Sequence, residues 1–210
     1  IVSQQFNYIN NYFNQWEAAL FADNFTDEAE GYRKYIDLDS FLRYFMIGEL
    51  CGNPDIFWSV HMTKDRNSDK FVFGPVWDFD IAFDNEKRAY PTDRFNDFLY
   101  TTHVNLASGV MRDIANRIVK EDPAVRQRLV EMWKTARTEQ NITAESLLEY
   151  IDQTAALLDE AQTLNFLRWK ILNQKVHENP QAAGSYEGEV KVLKNYISKR
   201  VPKMDILIGD

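Results

Sequence analysis

The sequence predicts an α+β fold, mostly α-helical with one small β-hairpin, in a single domain spanning residues 1–210. Three observations predict it. Apolar residues recur at three- and four-residue spacing at the start of the chain and again through its second half. Short β-branched and aromatic runs are confined to residues 56–76. A content of 45% hydrophobic and 14% aromatic residues in 210 fills one core.

In chain order, Val2, Phe6, Ile9, Phe13, Trp16 and Leu20 mark one face of an amphipathic opening helix whose other side is Asn and Gln. After the polar connection ADNFTDEAEG, Asp39 is placed to cap a second helix carrying Phe41, Leu42, Phe45, Met46 and Leu50. Gly52, Asn53 and Pro54 stop it. Residues 56–63 and 70–76 read as hairpin strands around the turn KDRNSD. Residues 84–104, with Pro91, are irregular, a length typical of functional loops and of surface excursions alike. From Asn105 onward the pattern is helical. Asp122 followed by Pro123 opens a helix that buries Val125, Leu129, Met132 and Trp133. One long helix is expected over 143–174, with Leu147, Ile151, Leu158, Leu164 and Leu167 inside. After ENPQAAGS, a last helix with Val190, Leu193, Ile197 and Val201 runs to Pro202.

The formal charge of −8 disfavours nucleic acid or an anionic membrane as the main partner. No stretch reaches the roughly 20 apolar residues of a membrane span. The lone cysteine, Cys51, forbids an internal disulfide and sits in an apolar context that suits an inert buried thiol. Asn24-Phe25-Thr26 and Asn141-Ile142-Thr143 match glycosylation sequons, a three-residue pattern that in a bacterial protein would read as coincidence.

The stretch GPVWDFDIAFDN, residues 74–85, sets Asp78, Asp80 and Asp84 against apolar neighbours. Aspartate enters an interior only when it is paired or bound to a metal. In an extended segment Asp78 and Asp80 share one face while Trp77 and Phe79 share the other. Two converging carboxylates repel unless a cation lies between them, and hard oxygen donors suit Mg²⁺ or Mn²⁺. His61, His103 and His177 are scattered, which disfavours a zinc site. Asp55, at the mouth of the other strand, would bring a third acid to the same pocket, free to accept a proton from an incoming hydroxyl. The bland alternative is that Asp55 and Asp78 only cap turns, and spacing alone weighs the two equally.

The segments YIDLDSFLRYFMIGELCGNPDIFWS and FGPVWDFDIAFDN, with VKVLKNYISKR near the end, resemble the bacterial CotH kinase family, named for spore coat protein H. The resemblance implies a fold like the C-terminal lobe of a protein kinase and phosphate transfer from ATP to protein serines. By it, Asp55 takes the place of the catalytic-loop aspartate, and Asp78 that of the metal-binding aspartate, with Asp80 as a further ligand of Mg²⁺ or Mn²⁺. Glu49 and Asn53 also match family positions and are assigned supporting contacts around the site. Ser59 stands where many members carry a metal-holding asparagine, and is a weaker ligand. The resemblance further implies a preceding nucleotide-binding lobe, for which the helices at 1–21 and 36–50 leave no room. The chain is therefore expected to be the C-terminal part of a longer kinase, inefficient by itself, with a protein substrate and an extracellular or cell-surface location. Two rivals remain. A family member without chemistry would bind protein or carbohydrate at a surface through Phe57, Trp58, Trp77 and Phe79, a cluster more often structural. A nucleotide-sugar transferase would use the same D-x-D.

Overall fold

A computed structural model of the protein describes residues 2–88, 96–101 and 110–209. Among them are seven α-helices and a two-stranded antiparallel sheet, so the chain is α+β and mostly helical. Helix α1 (Val2–Phe21) packs only through its second half: Trp16 and Leu20 are buried and Phe13 is partly so. Val2, Phe6 and Ile9, on the same predicted face, are exposed. Periodicity shows which side of a helix is apolar but not how far along it a partner extends.

Helix α2 (Leu38–Cys51) crosses the core with Phe41, Leu42, Phe45 and Met46 buried. Its cap is Asp37, whose carboxylate accepts from Ser40 N, and not Asp39. Asp39 lies in the first turn and pairs with Arg128, which lowers its carboxyl pKa. The helix ends where Gly52 turns left-handed at φ 62°, returning its N–H to Glu49 O.

The hairpin is shorter than expected. Residues 54–57 form a 3₁₀ turn (Pro54–Phe57), and only β1 (Met62–Thr63) and β2 (Val72–Phe73) pair, Met62 opposite Phe73 and Thr63 opposite Val72. Pro54 sets the φ of that turn, and Asn53 caps it. Phe71 also bridges to Ile36, fastening the hairpin to the entry of α2.

Short α3 (Val110–Ala115) widens into a π-helical stretch at Asn116–Lys120 before α4 (Pro123–Thr138). The Asp122–Pro123 start is as read: Asp122 accepts from Ala124 N. That carboxylate is buried, and it also accepts from the Tyr32 hydroxyl at 2.9 Å and from Arg33 Nε at 3.0 Å. Val125, Leu129 and Trp133 are buried, with Met132 packed at the edge. The single helix expected over 143–174 is two, α5 (Ala144–Leu157) and α6 (Asp159–Arg168), broken at Leu158, and residues 169–185 are not helical. Leu147 and Ile151 pack on α7, whereas Leu158, Leu164 and Leu167 are exposed. Helix α7 (Tyr186–Gly209) runs straight through Pro202, seven residues beyond its expected end. Pro202 faces solvent, where water can serve the carbonyl it leaves without a partner. The turns beyond it are held by buried Met204 and Ile208 and by Asp205, which accepts from Trp133 Nε1 at 2.9 Å and from Arg137.

Gly48 lets α2 and the 3₁₀ turn close up. A Cβ there would stand 2.3 Å from Ile56 Cδ1 and 2.6 Å from its Cγ2. Gly48→Ala is expected to destabilise the protein by about 1–3 kcal/mol through overpacking. The check is the chemical-denaturation midpoint, with an unchanged slope.

Candidate acidic site

Asp55 sits in the 3₁₀ turn that follows the left-handed end of α2. Asn53, buried, accepts from Asp55 N at 3.1 Å, and Asp55 O accepts from the amides of Trp58 and Ser59 at 3.0 and 2.9 Å. The other end of the Asn53 amide donates to Asp78 O at 3.1 Å. One side chain thus ties the Asp55 turn to the Asp78 segment. A buried asparagine fits because its amide accepts through Oδ1 and donates through Nδ2 at the same time.

Asp78 and Asp80 do not lie on an extended strand. Strand β2 stops at Phe73, the Gly74–Pro75 peptide is cis, and Asp78 is left-handed at φ 59°. Phe83 and Asp84 are left-handed as well, and the chain turns again at Ala82 N to Phe79 O and Asn85 N to Ala82 O. Strand alternation therefore cannot be what brings the acids together. The turns do it instead: the Asp78 carboxyl pKa is raised, first by a hydrogen bond to Asp80, then by the charge of Asp80, burial and the charge of Asp55. Phe83 anchors this loop, its N–H donating to Cys51 O at 2.7 Å and its ring set edge-on to Tyr196.

Among the described residues, no group of three or more His, Cys, Asp or Glu side chains forms a closed metal cage. The adjacent pair Asp78 and Asp80 is nevertheless the donor set that Mg²⁺ or Mn²⁺ uses when it keeps several waters and takes its remaining ligands from a substrate's phosphates. His61 is exposed and lies edge-on to Trp77, with ring centroids 4.7 Å apart. His103 lies outside the described residues.

Glu49 is fully buried, and its partners lie outside the acidic loop. It accepts from Leu99 N at 2.6 Å, Tyr100 N at 3.2 Å and Arg200 Nη2 at 3.2 Å. Burial pushes its carboxyl up to about 7 against the pull of Arg200 and the two amides. Arg200, buried too, donates from Nε to Glu49 O at 3.0 Å and from Nη1 to Asp97 O at 2.8 Å. Ser59 takes part through its backbone, its carbonyl accepting from Trp77 Nε1 at 2.8 Å. Of the four aromatics expected to form a core cluster, Phe57 is buried and Phe79 half-buried, while Trp58 and Trp77 are 55% and 47% exposed. Burial pushes the Cys51 thiol up to about 12, in keeping with an inert cysteine.

A family model described as CotH kinase protein matches residues 1–204. No curated protein and no solved structure matches the chain.

Two outcomes follow from this geometry. Asp80→Asn should return the Asp78 carboxyl toward the ordinary aspartate range, read by ¹³C carboxyl shifts against pH. Since the folded-state value of Asp78 is raised, its ionisation opposes folding as pH rises from the unfolded value through the folded one, and Asp80→Asn should flatten that dependence. Arg200→Leu should cost about 3–5 kcal/mol by stranding the buried Glu49 carboxylate. Adding Glu49→Leu should recover part of that loss in the same unfolding measurement, the remainder reflecting the Leu99 and Tyr100 amides left without an acceptor.

Proposed function

The chain belongs to the CotH kinase family, and on that premise we propose that Asp55, Asp78 and Asp80 carry metal-dependent phosphoryl transfer from ATP to serine or threonine of a protein acceptor. The observation that supports it most directly is the Asn53 amide, which joins the turn of one acid to the backbone of the next. Turn-capping aspartates have no need of each other; acids tied together by a buried side chain have a shared task. Asp78 and Asp80 would hold Mg²⁺ or Mn²⁺, which, when bound, neutralises phosphate charge. The raised carboxyl pKa of Asp78 fits a pair kept close without a permanent counter-charge. Asp55, held by its own backbone N–H and carbonyl, accepts the proton of the acceptor hydroxyl. In this proposal the chain supplies these acids as part of a longer kinase, with groups elsewhere holding the adenosine.

Exposed Trp58 and Trp77, next to Asp55 and Asp78, favour one second reading: a surface that binds protein or carbohydrate without chemistry. Incubation with Mg²⁺ or Mn²⁺, γ-labelled ATP and serine-rich acceptor proteins separates the two. Label transfer is expected to be weak with this chain alone and strong with the longer kinase, where Asp55→Asn reduces it by about 10²- to 10⁴-fold. Transfer undiminished in Asp55→Asn overturns the role given to that residue. Tryptophan fluorescence that responds to an oligosaccharide or protein but to neither Mn²⁺ nor ATP favours the binder.

A further inference from the structure

The loop that carries the acids is fastened at its far end to the connection between α6 and α7. Asn85 Nδ2 donates to Asp80 O at 2.8 Å. Asn85 Oδ1 in turn accepts from Asn179 Nδ2 at 2.7 Å, and that nitrogen also lies 3.3 Å from Asn85 O. Asn179 Oδ1 accepts from the backbone N–H of Val176 at 3.1 Å. The order of donors and acceptors is set from one end. A backbone N–H can only donate, so Asn179 must present its oxygen to Val176 and its nitrogen to Asn85; Asn85 must then present its nitrogen to Asp80. Asn53 performs the matching task on Asp78 O. Each of the two adjacent acids therefore has its backbone carbonyl held by an asparagine amide: Asn53, just past α2, holds Asp78, and Asn85, itself braced by Asn179 from 94 residues downstream, holds Asp80.

We propose that Asn85 and Asn179 are positioning residues that fix Asp80 for metal binding through this relay. The inference rests on the metal role proposed above for Asp80, and it extends the site to Asn85, which ends the segment FGPVWDFDIAFDN, and to Asn179, which no sequence motif marks. Other contacts at the junction do not touch Asp80: Lys87 pairs with Glu178 at 2.7 Å, Lys87 N donates to Glu178 O, and Arg88 Nη2 lies 3.1 Å from His177 Nε2.

Asn179→Asp tests it, because the change is nearly isosteric and sets a carboxylate oxygen against Asn85 Oδ1, which forces the relay to break or turn over. Free Mn²⁺ is followed by electron paramagnetic resonance in the presence of ATP, and backbone amide exchange over 79–85 by mass spectrometry. Mn²⁺ affinity is expected to fall about 10- to 100-fold, the usual loss when the partner of a metal ligand is removed, even though the added negative charge by itself would attract the ion. Exchange over 79–85 should quicken while α2 and α7 keep their protection. Lys87→Ala, which cuts the neighbouring ion pair, should change neither. If Asn179→Asp does not fold, Asn85→Ala serves in its place. Unchanged exchange over 79–85 overturns the proposal, and so does an equal loss in Lys87→Ala. If the unaltered protein binds no Mn²⁺, the metal role of Asp80 fails, and exchange alone then decides whether the relay holds the loop.

Discussion

The fold around the acids depends on a buried charge that has to be answered. Glu49 sits in the last turn of α2 with no access to water, and three donors from two distant segments converge on it. A carboxylate in that setting is tolerated only with its partners in place, because desolvation outweighs what any single contact returns. Satisfying it brings residues 97–100 and α7 to the end of α2. From there Gly52 turns the chain and Asn53 begins the acidic site. The placement of Asp55 is thus a consequence, three links removed, of where a glutamate and an arginine meet.

The acids themselves show how a short linear motif can be right about proximity for the wrong reason. D-x-D suggests two side chains on one face of a strand. The chain instead leaves the sheet at Phe73 and enters a run of turns, with Asp78 in a left-handed conformation uncommon for a non-glycine residue, though less so for aspartate, and held here by local compulsion. The compulsion is visible: Asn53 and Asn85 hold the two carbonyls, and Phe83 is pinned to Cys51 and Tyr196. The carboxylates end up adjacent because the backbone is restrained on every side, at the expense of their mutual repulsion.

Much of the architecture was legible because local chemistry decides it. Asp122 with Pro123, the glycine that ends α2, and the aromatic face of α2 each act within a turn or two of chain, so spacing suffices to read them. What escaped was set by contacts distant in sequence. Asp37 rather than Asp39 caps α2 because Phe71 fixes the backbone at Ile36 and Asp37, leaving Asp39 to meet Arg128. The break at Leu158 comes where the cover given by α7 runs out: α7 packs on Leu147 and Ile151 and reaches Ala155, whose carbonyl accepts from the Tyr186 hydroxyl at 3.2 Å, while Leu157 and Leu158 are exposed. At the site, Asp55 and the Asp78–Asp80 pair could be singled out by residue type, and Asn53 by its match to a family position. Asn85 ends the same segment as the acidic pair, but neither its role nor that of Asn179 could be read there, since both lie in a contact 94 residues apart.

Arg200 stands 151 residues after Glu49. During synthesis on the ribosome, helix α2 therefore emerges long before the cation that neutralises it, and ordering so large a loop precedes the reward of closing it. Until α7 is made, the nascent chain holds an unanswered acid at the very hinge from which the Asp55 turn departs. The site consequently matures last, with the final helix, so a truncated or stalled chain ending before α7 would display the acids without having organised them.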